Sequence, residues 1–249
     1  MMVNYWAIIV AAGTGQRMRS EIPKQYLTLH GKMVLASAIQ PFIDNKLIKK
    51  IVVVIAADDQ HWHTLPISQH EKVITAIGGA ERIDSCLKGL AALQEFAQAE
   101  DWILDHDAAR PCLSATDLSN MLASLATHPV GGILAYPVVD TLKRTNDQFI
   151  ITDTLDRKNV WHAATPQMFR YEILLKALNH VKQANVAITD NASALELLGY
   201  NLAIVAGSRN NIKITYPEDV ALAEFYLTKD LSEGEIPPLK KGGRGDLKA

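Results

Sequence analysis

The sequence has few cysteines, almost no net charge and no long apolar run. Cys86 and Cys112 are its only cysteines, and neither has a Cys or His at zinc-ligand spacing. Two cysteines do not make a disulfide framework, so the composition favours a reducing cytoplasm. The net charge of −2 gives no broad basic field for nucleic acid or an anionic membrane. No apolar stretch is long enough to span a bilayer. We therefore expect a cytoplasmic protein that binds neither nucleic acid nor membranes.

What the chain does contain is a series of short apolar runs with helix-like segments between them. Its 249 residues, 48% of them apolar, suffice for one large α/β domain. Several runs are unbroken rather than alternating, which is typical of strands covered on both faces. The β-α-β-α order predicts an α/β fold with a doubly wound, mostly parallel sheet. The predicted strands are 5–11, 50–56, 73–77, 101–106, 131–138 and 202–206.

Two regions depart from this pattern. Residues 137–163 are rich in Thr, Asp, Arg and Lys and carry short β-like pieces, so they predict a β-arm that projects from a single domain over 1–230. Such an arm leaves apolar surface bare unless a partner covers it, which indicates a homodimer. Residues 231–249 combine Pro, Gly and charges with almost no apolar anchors, and we expect them to be disordered.

Several helix starts can be read from the sequence. Spacing of apolar residues predicts an amphipathic helix over 82–97. Ser114 with Asp117 resembles a capping box, and Thr215–Glu218 matches a full one, which starts a helix over about 217–229. Thr189-Asp190 reads more naturally as a helix N-cap than as a ligand.

The most informative segment is AAGTGQRMRSEIPK, residues 11–24, directly after the first predicted strand. Gly13-x-Gly15 lets backbone N–H groups approach an anion closely. Arg17 and Lys24 add two cations beyond the loop, as a reaction that builds charge on phosphorus needs. The loop lacks the Gly-Lys-Ser/Thr of a Walker A motif, and Met18 replaces the third glycine of the dinucleotide fingerprint. The alternative is a tight strand-to-helix turn with two surface cations.

Two further segments follow predicted strands. Asp107 and Arg110 come after strand 101–106, where an acid and a cation can hold a polar substrate or a metal; alternatively, they pair to fix a turn. His106 is expected to pack or hydrogen-bond locally. Gly78-Gly79 and Ser85 follow strand 73–77 and could approach a base or phosphate, although without other evidence a plain βα loop is the favoured interpretation. Arg82 beside them could be a solvated helix residue.

The remaining candidates lie on or after the arm. Thr141 and Arg157 lie on it, where charged residues often serve solubility, and their functional interpretation requires the arm to reach a site, perhaps of another subunit. Thr165 follows the arm. Lys213 lies between apolar neighbours and points either to solvent or into the cleft as a third cation.

Together these segments resemble the 2-C-methyl-D-erythritol 4-phosphate cytidylyltransferases of the non-mevalonate isoprenoid pathway. The most specific of them are HDAARP, TPQ, ITDNAS and NIKIT, and the first loop is shared by many nucleotidyltransferases. The matching segments run in order from residue 11 to about 226.

The resemblance implies a Rossmann-like nucleotidyltransferase fold, CMP transfer from CTP to the phosphate of 2-C-methyl-D-erythritol 4-phosphate, a requirement for Mg²⁺, and a homodimer in which each arm embraces the other subunit. It also implies roles for individual residues. The nucleotide contacts would be Ala11, Ala12, Gly13, Gly79 and Ser85; the catalytic cations Arg17, Lys24 and Lys213; and the acceptor contacts Asp107, Arg110, Thr141, Arg157 and Thr165, with Thr141 and Arg157 from the partner.

The chain departs from the family pattern at Ala80 and Asn191, where close relatives can carry an acid. Two other functions stay open. The protein could be a nucleotidyltransferase for ribitol phosphate or a sugar 1-phosphate, or a nucleotide-binding regulator without turnover. An NAD-binding oxidoreductase fits less well, because the third fingerprint glycine is missing.

Overall fold

The computed structural model describes residues 3–13, 15–18 and 22–230, and its elements within these ranges are as follows. The strands are β1 (Tyr5–Val10), β2 (Thr28–Leu29), β3 (Lys32–Met33), β4 (Ile48–Ile55), β5 (Val73–Ile77), β6 (Trp102–Asp107), β7 (Gly131–Pro137), β8 (Leu142–Thr145), β9 (Ile151–Leu155), β10 (Trp161–Arg170) and β11 (Ala203–Ala206). The helices are α1 (Val34–Asp44), α2 (Arg82–Ala92), α3 (Ala115–Leu125), α4 (Tyr171–Ala184), α5 (Asn191–Leu197) and α6 (Glu218–Asp230). The tail that we predict to be disordered lies outside the described residues.

Seven strands form one sheet in the order β11-β7-β10-β6-β1-β4-β5. Neighbouring strands are parallel except at β10, which runs antiparallel to both β6 and β7. Helices flank the sheet, so the predicted doubly wound, mostly parallel fold is confirmed. All six predicted strands are present, with bounds that differ by at most two residues.

The sequence does not predict β10, because the predicted arm ends near 163 and Thr165–Gln167 is expected only to follow it. In the structure β10 runs from Trp161 to Arg170 through the middle of the sheet. Its pairing with β7 shifts register between Ala163 and Gln167, around a cis Thr165–Pro166 bond. A proline inside a run argues against a central strand, and the register shift is the reason that this one tolerates it.

Alternate residues of the central strands face two separate helical layers, which explains the unbroken apolar runs. Ala7 and Ile9 of β1 lie in a cluster with residues of α1 and α3. Ile8 lies in a second cluster with residues of α2, α4 and α5. Because both faces of β1 are buried, neither set of side chains is polar.

Two of the predicted helix caps are confirmed. The Asp117 N–H donates to Ser114 Oγ at 3.0 Å, at the start of α3. The Asp117 carboxylate accepts from the Ser208 N–H at 3.0 Å, so Ser114 is a cap without the reciprocal bond of a capping box. Asp190 caps α5 by accepting from the Ser193 N–H at 3.0 Å. The helix predicted over 82–97 is shorter, since α2 ends at Ala92.

The predicted Thr215–Glu218 capping box is wrong. The Asp219 carboxylate, rather than Glu218, accepts from the backbone N–H groups of Thr215 and Tyr216, at 2.7 and 2.8 Å. The physical reason is that α6 begins at Glu218, two residues later than that box requires.

The predicted arm is present as a hairpin of β8 and β9, which pairs with no strand of the large sheet. Its tip exposes apolar side chains: Phe149 is 88% exposed, Ile150 59% and Ile151 60%. A contiguous apolar tip of this kind is typical of a surface that another molecule covers.

A third, smaller cluster fixes the segments on either side of the candidate site. Leu29 of β2 and Val34 of α1 pack with Ile214 and with Ala223 of α6. This apolar cluster thereby joins the segment that follows Lys24 to the segment that follows Lys213. Among the described helices, none has the length and apolarity needed to cross a membrane.

Candidate active site

A cleft of about 390 Å³ opens where the loops after β1, β5 and β6 meet, at the carboxyl ends of these strands. This is the position at which ligands bind to open α/β sheets. Nine residues predicted from the sequence line the cleft together: Ala11, Ala12, Gly13, Arg17, Lys24, Gly79, Ser85, Asp107 and Lys213.

The loop after β1 is held by Gln25, which sequence reasoning did not single out. The Gln25 amide is buried, and its Nε2 donates to the carbonyl oxygens of Ala11 at 2.8 Å and Gly13 at 3.3 Å. Since both carbonyls turn toward Gln25, one side chain sets the path of the loop. The sequence signal is that residues 23–26, PKQY, are one of the segments that match the family pattern.

Two features require a glycine at position 15, namely its backbone conformation and the close approach of the Lys24 side chain. Its φ of +64° lies in the left-handed region, which side chains disfavour. A Cβ at this position would lie 3.1 Å from Lys24 Cγ, so the lysine stem packs directly on the loop. The glycine therefore lets the Lys24 side chain lie close to the backbone of the loop after β1.

Gly78 brings the second loop against the first. A Cβ on Gly78 would lie 2.7 Å from both Ala12 Cβ and Ser85 Oγ, too close for any side chain. The Gly79 N–H points to Ser85 Oγ at 3.3 Å, and that hydroxyl donates to the Glu81 carbonyl at 3.3 Å. Ser85 thus closes this loop from the first turn of α2 and reaches the cleft.

The three cations predicted as catalytic share the cleft. Lys24 Nζ donates to the Ile214 carbonyl at 2.7 Å, and Lys213 Nζ lies 2.9 Å from Asp107 Oδ2. Arg17 is exposed at the rim. Burial, followed by the nearby charges of Lys213 and Arg17, lowers the pKa of Lys24 to about 8 although Asp107 opposes this. The cleft is therefore an electropositive site suited to a polyphosphate.

Asp107 is the carboxylate that faces these cations. It is the last residue of β6 and is only 8% exposed. Burial alone raises its pKa, but the charges of Lys213, Arg82 and Arg110 outweigh that effect and hold the pKa well below its usual range. Asp107 is therefore ionised at any physiological pH.

Arg110 and Thr165 lie behind Asp107 rather than in the lining of the cleft. Arg110 is buried, with its Nε 3.4 Å from Asp107 Oδ2 and its Nη1 donating to the Asn211 carbonyl at 2.7 Å. Thr165 Oγ1 accepts from the Asp107 N–H at 3.1 Å and forms a hydrogen bond with His106 Nδ1 at 2.9 Å. In this single chain both residues position Asp107.

His106 is fully buried between Thr165 and the Arg110 carbonyl, which lies 3.1 Å from its Nε2. Burial lowers the pKa of His106 to about 4, so the ring is neutral near pH 7. The predicted local packing role of His106 is confirmed.

Thr141 and Arg157 do not join the cleft within one chain. Both are exposed, Thr141 next to the start of β8 and Arg157 after β9. Arg157 Nη1 donates to the Val139 carbonyl at the base of the arm. Their predicted role in another subunit's site stays a prediction.

The solvated-helix alternative for Arg82 is wrong. Arg82 lines the cleft and forms ion pairs with Asp105 and Asp107, the latter at 3.5 Å. No local sequence pattern pairs Arg82 with Asp105, because 23 positions separate them. Of the two departures from the family pattern, Ala80 lines the cleft, and Asn191 is buried and accepts from Arg82 Nη1 at 3.1 Å.

The few carboxylates that line the cleft suit a metal ion whose ligands come mainly from the substrate. Within the described ranges, no three His, Cys, Asp or Glu side chains are grouped for a metal ion. Asp107 and Glu81 line the cleft. Mg²⁺ is commonly bound through one or two carboxylates together with substrate phosphates and water, so this donor set fits Mg²⁺ on a nucleotide.

Comparison with known proteins places these features in a family. A family model described as 2-C-methyl-D-erythritol 4-phosphate cytidylyltransferase matches residues 5–229. A protein of that name from Vibrio vulnificus (strain YJ016) is 47% identical over 92% of this chain and 97% of its own length. One from Klebsiella pneumoniae is 46% identical over 90% of this chain and 93% of its own length.

Solved structures agree. The crystal structure of the Francisella tularensis 2-C-methyl-D-erythritol 4-phosphate cytidylyltransferase is similar, with a TM-score of 0.78 and 37% identity. The match covers 90% of this chain and 99% of that one. The identity over nearly the whole chain, the shared fold and the site geometry lead to one conclusion: the chain belongs to the 2-C-methyl-D-erythritol 4-phosphate cytidylyltransferase family.

Proposed function

We propose that the protein transfers CMP from CTP to the phosphate of 2-C-methyl-D-erythritol 4-phosphate and releases pyrophosphate, a step in isoprenoid precursor biosynthesis. Membership of the family and the names of relatives at 46–47% identity support this activity. The observation that carries the chemistry is the grouping of Arg17, Lys24 and Lys213 in one cleft beside the glycine loop.

The reaction is an in-line substitution at the α-phosphorus of CTP. An oxygen of the acceptor phosphate forms the new P–O bond, and the bond from the α-phosphorus to the bridging oxygen breaks. The electron pair of that bond leaves with pyrophosphate. A phosphate monoester is ionised near pH 7, so no general base is needed. The buried, neutral His106 is consistent with such a mechanism.

The cations act as preorganised electrostatic stabilisers. The ammonium groups of Lys24 and Lys213 and the guanidinium of Arg17 balance the charge that gathers on the α-phosphate oxygens and the leaving pyrophosphate. The backbone at Ala11–Gly13 would bind the triphosphate, and Gly79 with Ser85 would face the cytosine. Both loops line the cleft.

A bound Mg²⁺ would supply charge neutralisation between phosphate oxygens and help to orient the leaving group. Asp107 is the protein group that would hold it, together with the phosphates. The supporting observation is chemical: Asp107 is ionised and lines the cleft, and no larger cluster of ligands is found among the described residues.

The acceptor site would be completed by a second copy of the chain. Asp107, Arg110 and Thr165 come from one subunit, and Thr141 and Arg157 from the arm of the other. The exposed apolar tip of the arm supports a homodimer, since a partner would cover it. Such a biosynthetic enzyme would act in the cytoplasm.

The decisive experiment measures pyrophosphate release from CTP and Mg²⁺ with a panel of acceptors. Release only with 2-C-methyl-D-erythritol 4-phosphate is expected, and the Lys24→Ala variant should lose about 10²–10³ in kcat. Preference for ribitol phosphate or a sugar 1-phosphate would assign another nucleotidyltransferase activity. CTP binding without release from any acceptor would indicate a regulator and contradict the proposal.

A further inference from the structure

Arg82 joins three elements beside the cleft. It is the first residue of α2, and its Nη2 forms an ion pair with Asp105 of β6. Its Nη1 donates to Asn191 Oδ1, on α5, at 3.1 Å. The same Nη2 lies 3.5 Å from Asp107 Oδ1, and the Arg82 side chain remains 30% exposed toward the cleft. One guanidinium therefore ties the loop after β5 to the end of β6 and to α5.

Asp105 serves to anchor this guanidinium. It is 1% exposed, lies below the cleft, and accepts from Cys86 Sγ at 3.4 Å in addition to Arg82. A buried carboxylate destabilises the fold unless it is paired, and even a buried ion pair is often no more stabilising than apolar residues of similar size. The Arg82–Asp105 pair is therefore difficult to explain by its contribution to stability alone. Because the Arg82–Asp105 pair fixes the guanidinium, Arg82 cannot easily follow a substrate into the cleft.

The two oxygens of Asp107 have different partners. Oδ2 faces Lys213 at 2.9 Å and Arg110 Nε at 3.4 Å, whereas Oδ1 faces Arg82. Lys213 is 39% exposed and can turn toward an incoming phosphate. Arg110 and Arg82 are each held elsewhere, by the Asn211 carbonyl and by Asp105. When Lys213 engages the substrate, the two arginines still hold the carboxylate from opposite oxygens.

We propose that Arg82 is a positioning residue of the cytidylyl transfer. Arg82 holds the Asp107 carboxylate in the orientation that the reaction requires. Asp105 in turn anchors the Arg82 guanidinium. This inference rests on the proposed function, since it assigns Arg82 a role in the same reaction. Arg82 acts through Asp107 and need not touch the reacting phosphorus.

The test replaces the pair as a unit. Exchange of a buried ion pair for apolar residues of similar size is often neutral for stability, so Arg82→Met combined with Asp105→Leu should remain folded. We expect its kcat to fall roughly 100-fold while its KM for CTP changes less than about threefold. Arg170→Met is the control, because Arg170 is buried at the opposite end of the sheet, donating to the carbonyls of Glu100 and His128. It should keep its kcat per folded molecule.

A folded double variant with kcat within about threefold of wild type would show that the pair is merely structural and overturn the inference. If the double variant does not fold, Arg82→Lys decides: its compact ammonium cannot bridge three groups, so kcat should fall roughly tenfold, and an unchanged kcat would overturn the inference. Wild-type protein is assayed alongside. Inactive wild type would overturn the proposed function itself, whereas an active wild type with an active double variant overturns only the role of Arg82.

Discussion

The shifted pKa of Lys24 makes CTP capture depend on pH in a specific way. Lys24 in the free protein has a pKa of about 8, lowered from 10.5 first by burial and then by Lys213 and Arg17. Above pH 8 its ammonium loses the proton, and a neutral amine attracts a triphosphate far less. We therefore expect kcat/KM for CTP to be level near pH 7 and to fall above pH 8.

The size of this effect follows from the titration. At pH 9, one unit above a pKa of about 8, roughly one-eleventh of Lys24 is protonated, so kcat/KM should be about tenfold lower than at pH 7. In the CTP complex the triphosphate favours the protonated form and raises the pKa of Lys24. The value of kcat at saturating CTP should therefore begin to fall only at higher pH.

The assay is steady-state pyrophosphate release between pH 6.5 and 10, with CTP varied at each pH. The matched control is Lys24→Arg, because a guanidinium remains charged throughout this range. Its activity can be lower, but its kcat/KM profile should not fall near pH 8. A wild-type kcat/KM profile that stays level to pH 10, or the same fall in the Lys24→Arg variant, would show that the protonation of Lys24 does not control CTP capture.

Three further predictions concern residues around the cleft. Gln25→Ala leaves two loop carbonyls unsatisfied, so KM for CTP should rise about 10- to 100-fold in steady-state assays. An unchanged KM would mean that the loop keeps its conformation without the Gln25 side chain. Thr165→Ser should retain activity and Thr165→Val should lose it, because only a hydroxyl can accept from the Asp107 N–H; equal kcat values for the two variants would contradict this. Mixed Arg157→Ala and Lys24→Ala subunits should recover part of the activity that each variant lacks, whereas no recovery would count against sites shared between two copies.

The architecture was predictable from the sequence because burial on both faces imposes a visible pattern. The runs at 5–11 and 50–56 are apolar at every position that two helical layers cover, and such runs identify strands without any partner being known. β10 could not be found in this way. It carries Pro166 within its length, and its first residues are exposed, so its central place depends on pairing with distant strands.

Cleft residues that lie close together in the sequence were predictable, whereas residues that only the fold brings together were not. Gly13, Arg17 and Lys24 lie within one short segment, so their common purpose was visible. Arg82 depends on Asp105, 23 positions away, and on Asn191, 109 positions away, and no local pattern reports such contacts. Thus Arg82 resembled a solvated helix residue until the fold brought its partners together.

Gln25 illustrates the same limit at short range. It lies 14 positions from Ala11, yet its role as a double donor depends on the approach of its side chain to the carbonyls of Ala11 and Gly13 in the folded chain. Sequence alone gives the residue type and not this approach. By contrast, the family resemblance named the loop residues themselves, because their spacing is common to many nucleotide-binding loops.

In the proposed mechanism one group of cations surrounds the reacting phosphorus. A crystal structure of the protein with CTP would give the distances from the α-phosphate oxygens to Lys24 Nζ, Lys213 Nζ and the Arg17 guanidinium. We predict contacts of about 2.7–3.2 Å to at least two of these groups, with the triphosphate along the glycine loop. A triphosphate bound elsewhere, or bound in this cleft with all three cations turned away, would rule out the proposed stabilisation by Arg17, Lys24 and Lys213.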